Sequence, residues 1–169
     1  MNLRVVSATE LVFDGKTYRC AIGKSGFTKS KIEGDHCTPV GTFPLRECWW
    51  RPDRLSHAPQ TVLPIRSIMP DDGWCDAPDD VYYNTHVKLP FAASHEKLWR
   101  EDHVYDVIVP LGYNDSPVES GKGSAVFMHI AKPDYTGTEG CIALALPDLL
   151  EILGKVTINS CMQIEDKED

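Results

Sequence analysis

Two residues have the types and placement for covalent catalysis. His129 lies near the end of the apolar run Ser124-Ala125-Val126-Phe127-Met128-His129-Ile130, and Cys141 opens the run Cys141-Ile142-Ala143-Leu144-Ala145-Leu146. A thiol with its ordinary pKa near 8.5 is only a few per cent thiolate at neutral pH, so a partner must take its proton or hold it as an ion pair. An imidazole can do either. Gly140 precedes the thiol, and a residue without Cβ lets a carbonyl approach the backbone, where N–H groups can stabilise an oxyanion.

The elements that must position this pair are two strand-length apolar runs joined by the polar stretch 131–140. Its ten residues fold back at a modest entropic cost and bring the runs side by side. Side chains alternate faces along a strand, so Ala125, Phe127 and His129 share one face, as do Cys141, Ala143 and Ala145. Antiparallel pairing would set opposite residues roughly 4.5–5.5 Å apart at Cβ, within reach of a thiol-to-imidazole hydrogen bond. With Ile130 following the histidine, a backbone carbonyl is the expected acceptor for its second ring nitrogen. Each residue alone also suits a buried core. The combination of His, a Gly/Thr/Pro-containing loop and Gly-Cys at a strand start points to chemistry.

A chain of 169 residues fits one domain, taken as 1–169, with a proper core. Short runs at Leu3–Ser7, Leu11–Phe13 and Thr17–Ile22 read as a meander, with further strands toward Trp50, near Thr61–Ile65, at Val104–Leu111 and at Val156–Ile164. A short helix is expected over Ser94–Arg100 from its N-capping serine, and a second from Pro147 to the terminator Gly154. Lys31, Glu33 and Asp35 are expected to form surface ion pairs. Residues 165–169 form a charged tail. The fold class is therefore mainly β, a sandwich or barrel carrying one or two small helices.

A net charge of −8 without a basic stripe argues against nucleic acid as a partner. No run of eighteen apolar residues is present for a membrane span. Six cysteines without CxxC spacing, behind an N-terminus that does not read as a signal, favour a cytoplasmic protein with reduced thiols; removal of a signal sequence would make it periplasmic. No metal-ligand spacing and no phosphate loop can be drawn, so neither metal nor cofactor is expected.

The residues resemble the YkuD-type L,D-transpeptidase catalytic domain family, in its compact branch. The resemblance covers nearly the whole chain. It rests on Lys31-x-Glu33-Gly34-Asp35-x-x-Thr38-Pro39-x-Gly41-x-Phe43, Tyr83-Asn84, Gly123-Ser124-Ala125-x-Phe127-x-His129 and Thr138-x-Gly140-Cys141-Ile142. It implies a β-sandwich in which Cys141 attacks an amide of a peptidoglycan stem peptide, with His129 as base and Gly140 at the oxyanion. Many members carry His or Lys two places before the cysteine and Arg two places after it; here Glu139 and Ala143 stand there. The substrate carboxylate therefore needs another partner, and Arg51 and Arg54 are the candidates, with Tyr83 and Asn84 as groove residues. The expected activity is an L,D-carboxypeptidase that removes the terminal D-alanine from recycled tetrapeptides. A cross-linking transpeptidase using the same acyl-enzyme and a silent peptidoglycan-binding module are the alternatives.

Overall fold

The structure, a computed structural model, describes residues 1–165. The tail beyond Glu165 lies outside the described residues. In chain order the strands are β1 (Leu3–Ser7), β2 (Glu10–Phe13), β3 (Lys16–Ala21), β4 (Phe27–Thr28), β5 (Thr38–Pro39), β6 (Gly41–Pro44), β7 (Cys48–Trp50), β8 (Ile65–Ser67), β9 (Asp72–Cys75), β10 (His86–Lys88), β11 (His95–Lys97), β12 (Val107–Pro110), β13 (Phe127–Ile130) and β14 (Ile142–Leu144). Helix α1 (Leu146–Leu153) and β15 (Cys161–Ile164) complete the chain.

Ten strands form one curled sheet in the order β6-β15-β1-β2-β3-β14-β13-β12-β7-β8. The meander β1-β2-β3 is antiparallel as its turn signals imply. The sheet folds over where β3 meets β14, a contact of two residue pairs, Ala143 with Ala21 and Leu144 with Cys20. Its two five-stranded halves then face each other as a β-sandwich. Leu3, Val5, Leu11, Phe13 and Tyr18 from the first half meet Val107, Val109, Met128, Ile130, Ile142 and Leu144 from the second.

The second half is covered on its outer face as well. Ile108, Phe127 and Cys141 pack there with Trp49, Ile68, Leu98, Val104 and Tyr105. A three-stranded sheet, β10-β9-β11, contributes to that side through Trp74, whose ring stands edge-on to Phe127 with centroids 5.0 Å apart. Burial on both faces explains why β12 reads as an unbroken apolar run and why His129 alone interrupts β13.

Three expectations are corrected. The first is strand direction: β13 and β14 run parallel, with Met128 beside Ile142 and His129 beside Ala143. The connecting stretch travels back before the second strand begins, because Thr138 is bonded to both sides of Gly23, accepting from the Lys24 amide and donating to the Ile22 carbonyl, each at 2.8 Å. The second is the expected helix over 94–100, where β11 pairs antiparallel with β9 instead. Ladder bonds and the burial of Leu98 outweigh a local capping signal. The third concerns extent: the expected strands at 104–111 and 156–164 are shorter, because turns take up residues such as 104–105 and 158–159, and the strand expected near 61–65 lies at Ile65–Ser67 instead.

Helix α1 forms where its pattern says it should. Pro147 occupies its first turn, Asp148 favours the positive end of the dipole, and Leu149, Ile152 and Leu153 enter the core. No helix among the described residues is long and apolar enough to cross a membrane. Leu149→Ala should cost about 2–5 kcal/mol in urea unfolding through the cavity it leaves. Ile158→Ala, at a position 67% exposed, should stay within about 0.5 kcal/mol.

Candidate active site

Strand alternation places the two candidate side chains, Cys141 and His129. Met128 and Ile130 turn into the sandwich core, so Phe127 and His129 turn to the outer face. The parallel register brings Cys141 alongside Phe127, one pleat short of His129 and on the same face. The Phe127 amide donates to Cys141 Sγ at 3.4 Å, and the thiol donates to the Ala125 carbonyl at 3.2 Å. Both reactive groups line a single cavity of about 420 Å³. Cys141 is 6% exposed and His129 7%, so both are almost wholly enclosed.

The second imidazole nitrogen finds a backbone acceptor. His129 Nδ1 lies 2.9 Å from the Ile130 carbonyl. A carbonyl only accepts, so Nδ1 carries the proton and Nε2 keeps its lone pair. Tyr105 packs edge-on against the ring at 5.3 Å, and its hydroxyl donates to the Glu96 carboxylate. Burial pulls His129 down to about 4 and pushes the Cys141 thiol up to about 12, with Glu96 adding to the thiol's rise. At neutral pH the resting pair is a neutral thiol and a neutral imidazole. Burial likewise raises the Glu96 carboxyl above its ordinary value.

Gly140 adopts φ +135°, and a Cβ there would come within 2.8 Å of the Cys37 carbonyl. Only glycine fits that turn without strain. Thr38 Oγ1 donates to the Gly140 carbonyl at 2.9 Å, and the Gly140 amide donates to Thr138 Oγ1 at 3.1 Å. The turn before the thiol is thus held from two chain segments.

Tyr83 and Asn84 are buried behind the cavity and hold its wall. Asn84 Oδ1 accepts from Trp74 Nε1 and from the Ala125 amide, each at 3.0 Å, while its Nδ2 donates to the carbonyls of Tyr113 and Asn114. All four hydrogen bonds of the amide are made. Ala125 itself sits at φ +51°, and this amide bond fixes it there. The Tyr83 hydroxyl donates to Glu33, which also accepts from Ser124 Oγ at 3.1 Å, and receives the Gly123 amide at 2.9 Å.

Arg51 and Arg54 lie away from the cavity. The Arg51 guanidinium stacks on Trp99 at 3.6 Å, binds Asp53 through two nitrogens, and donates to the Arg100 carbonyl. Arg54 holds Asp106 at 2.7 Å and the carbonyls of Glu101 and Asp102. Neither lines the wall. The cations that do are Lys31, Arg100 and Lys132, facing Glu33, Asp76, Glu96 and Glu139. Lys31 is buried, which corrects the expectation of a surface pair. Glu139 stands at the mouth, paired with Lys24 at 3.1 Å and with His36. Glu96, Arg100 and Tyr105 carried no sequence signal, since they lie outside any motif. Among the described residues no group of three or more His, Cys, Asp or Glu side chains is placed to hold a metal ion.

Because the folded His129 titrates near 4 and a free imidazole near about 6.5, the unfolded chain binds a proton that the folded chain refuses between those values. Stability therefore falls as pH drops through that window. His129→Gln removes this penalty and can still donate to the Ile130 carbonyl. Between pH 7 and 5 the wild type should lose more melting temperature than His129→Gln; parallel curves by scanning fluorimetry would contradict the buried neutral ring.

No curated protein and no solved structure matches the chain. The family model for the L,D-transpeptidase catalytic domain, YkuD, matches residues 4–164, nearly the full length. That match brings with it cysteine catalysis on peptidoglycan peptides; here the thiol and the imidazole line one cavity, and the thiol's hydrogen bond goes to the Ala125 carbonyl rather than to the ring as the antiparallel expectation had it. The chain belongs to the YkuD L,D-transpeptidase catalytic domain family.

Proposed function

We propose that this member is an L,D-carboxypeptidase that releases the terminal D-alanine of a peptidoglycan tetrapeptide through an acyl-thioester on Cys141. The observation that carries this reading is the size of the site: Cys141 and His129 line one cavity of about 420 Å³, room for the end of one stem peptide and a water. The six free cysteines fit work in a reducing cytoplasm, where recycled muropeptides would be the substrate.

His129 Nε2 takes the Cys141 proton as sulfur bonds to the carbonyl carbon of the penultimate residue, and the carbonyl electrons move onto oxygen. The Gly140 amide is already bonded to Thr138 Oγ1, so the Cys141 amide is the donor assigned to that oxyanion, and Gly140 serves by leaving room for the carbonyl. Collapse of the intermediate breaks the C–N bond, and His129 returns the proton to the departing D-alanine amine. Water, losing a proton to the same Nε2, then attacks the thioester carbon and restores the thiol. For the terminal carboxylate, Arg100 and Lys132 take the place first sought at Arg51 and Arg54. Arg100 binds Asp102 through Nε and Nη2, which leaves further N–H donors for a ligand.

Mass spectrometry of a purified tetrapeptide incubation, with and without an amine acceptor, tests the proposal. Free D-alanine and tripeptide should appear in both, and Cys141→Ala should lower the rate about a thousandfold or more. Efficient joining of two peptides with little free tripeptide would assign a cross-linking transpeptidase instead. Neither product, together with no β-lactam or iodoacetamide adduct on Cys141, would leave a binding module.

A further inference from the structure

The motif Lys31-x-Glu33-Gly34-Asp35 has its acid at Glu33 engaged in the cavity wall, but its lysine has no part in the steps above. Lys31 is a buried ammonium: its side chain is 5% exposed, against a typical lysine that stays solvated. Nζ donates to Asp35 Oδ1 at 2.8 Å and to the Cys37 carbonyl at 2.8 Å. Asp35 in turn accepts the amides of Ile32 and Cys37, each at 2.9 Å. Burial works against the Asp35 charge, but the ammonium and these amides outweigh it and hold the carboxyl below its ordinary range. The cation is therefore locked in place by its partner.

Two glycines make room for it. A Cβ on Gly123 would come within 2.8 Å of Lys31 Cε, and one on Gly140 within 3.2 Å of Nζ. The lysine stem thus crosses Gly123, and its ammonium abuts the residue directly before the nucleophile. Of three N–H donors, two have partners among the described residues. Lys31 also lines the same cavity as Cys141 and His129.

The groups that face the thiol are His129, Tyr105, Glu96, Glu139 and Lys31, with Arg100 beyond Glu96. The two acids oppose negative charge on sulfur, and Lys31 favours it. In a dry cavity a fixed opposite charge acts over several ångströms with little screening. We propose that Lys31, a positioning residue rather than nucleophile or base, is the fixed counter-charge for the anion formed at Cys141. It favours first the thiolate and then the oxyanion, set close by the absence of side chains at Gly123 and Gly140. This rests on Cys141 being the nucleophile, and the test separates the two claims.

Well below the thiol's midpoint the alkylation rate is proportional to its thiolate fraction, so the rate of iodoacetamide alkylation at Cys141, read by peptide mass spectrometry at pH 7.5, reports the thiolate without any peptide substrate; Cys161 serves as internal reference. Lys31→Met should slow alkylation about tenfold, while Lys31→Arg restores most of the rate. Asp35→Asn retains an acceptor oxygen but frees the lysine charge, and should speed alkylation. A merely structural ion pair would shift both variants the same way. An unchanged rate in folded Lys31→Met overturns the proposal, as does an unchanged or lowered rate in Asp35→Asn, which decides the matter if the first variant does not fold. Retention of D-alanine release by Cys141→Ala would instead remove the nucleophile assignment and leave the alkylation result standing.

Discussion

The parallel pairing of β13 and β14 is the constraint on which the site depends. It is a short ladder in the middle of the curled sheet, buried on both faces. One face of each strand fills the sandwich core. The other carries Phe127, His129, Cys141 and Ala143, and can hold reactive groups because a second layer of structure shields it from bulk water. A slip of one residue between the two strands would send Cys141 into the core and leave His129 alone. The burial of Met128, Ile142 and Leu144 opposes such a slip.

Dryness has an electrostatic consequence. Thiol and imidazole are each held in the uncharged form, so neither is spontaneously reactive toward solvent. The charged side chains lie around them: Glu96 under the Tyr105 hydroxyl, Arg100 tied to Asp102, Lys31 tied to Asp35, and Glu139 at the rim with Lys24 and His36. The surrounding dipoles and ions are in place beforehand.

How much of this was legible depended on what kind of information each feature carries. A period of two reports which face a residue occupies, so the shared face of His129 and Cys141 could be read directly. It does not report strand direction, which here depends on Thr138 bonding around Gly23. Helix α1 announced itself through Pro147, its apolar spacing and Gly154. β11 could not, because three residues are too few to show a period and its pairing partner lies some twenty residues away in sequence. The same limit hid the fates of the cations. Arg51 was sought as the substrate's partner and Lys31 as a surface ion pair, yet the first is stacked on Trp99 outside the site and the second is buried beside Gly140. Only the three-dimensional arrangement distinguishes them. Asn84 is a similar case: the resemblance offers it as a groove residue, and its role as a four-bond junction appears only once Trp74, Tyr113, Asn114 and Ala125 converge on it.

The stretch from 131 to 140 leaves one ladder strand and returns to begin the next, with its middle resting on the end of β3 and the residues after it, through Arg19 over Tyr135 and Gly137 against Lys24. It bears Lys132 near one end and Glu139 near the other, both facing the opening. Lengthening or recomposing this arch would reshape the threshold through which peptides arrive without altering the spacing of sulfur and ring. Selectivity and reactivity are thereby carried on separable parts of the chain, so a lineage could exchange one kind of guest for another while its chemical machinery stayed still.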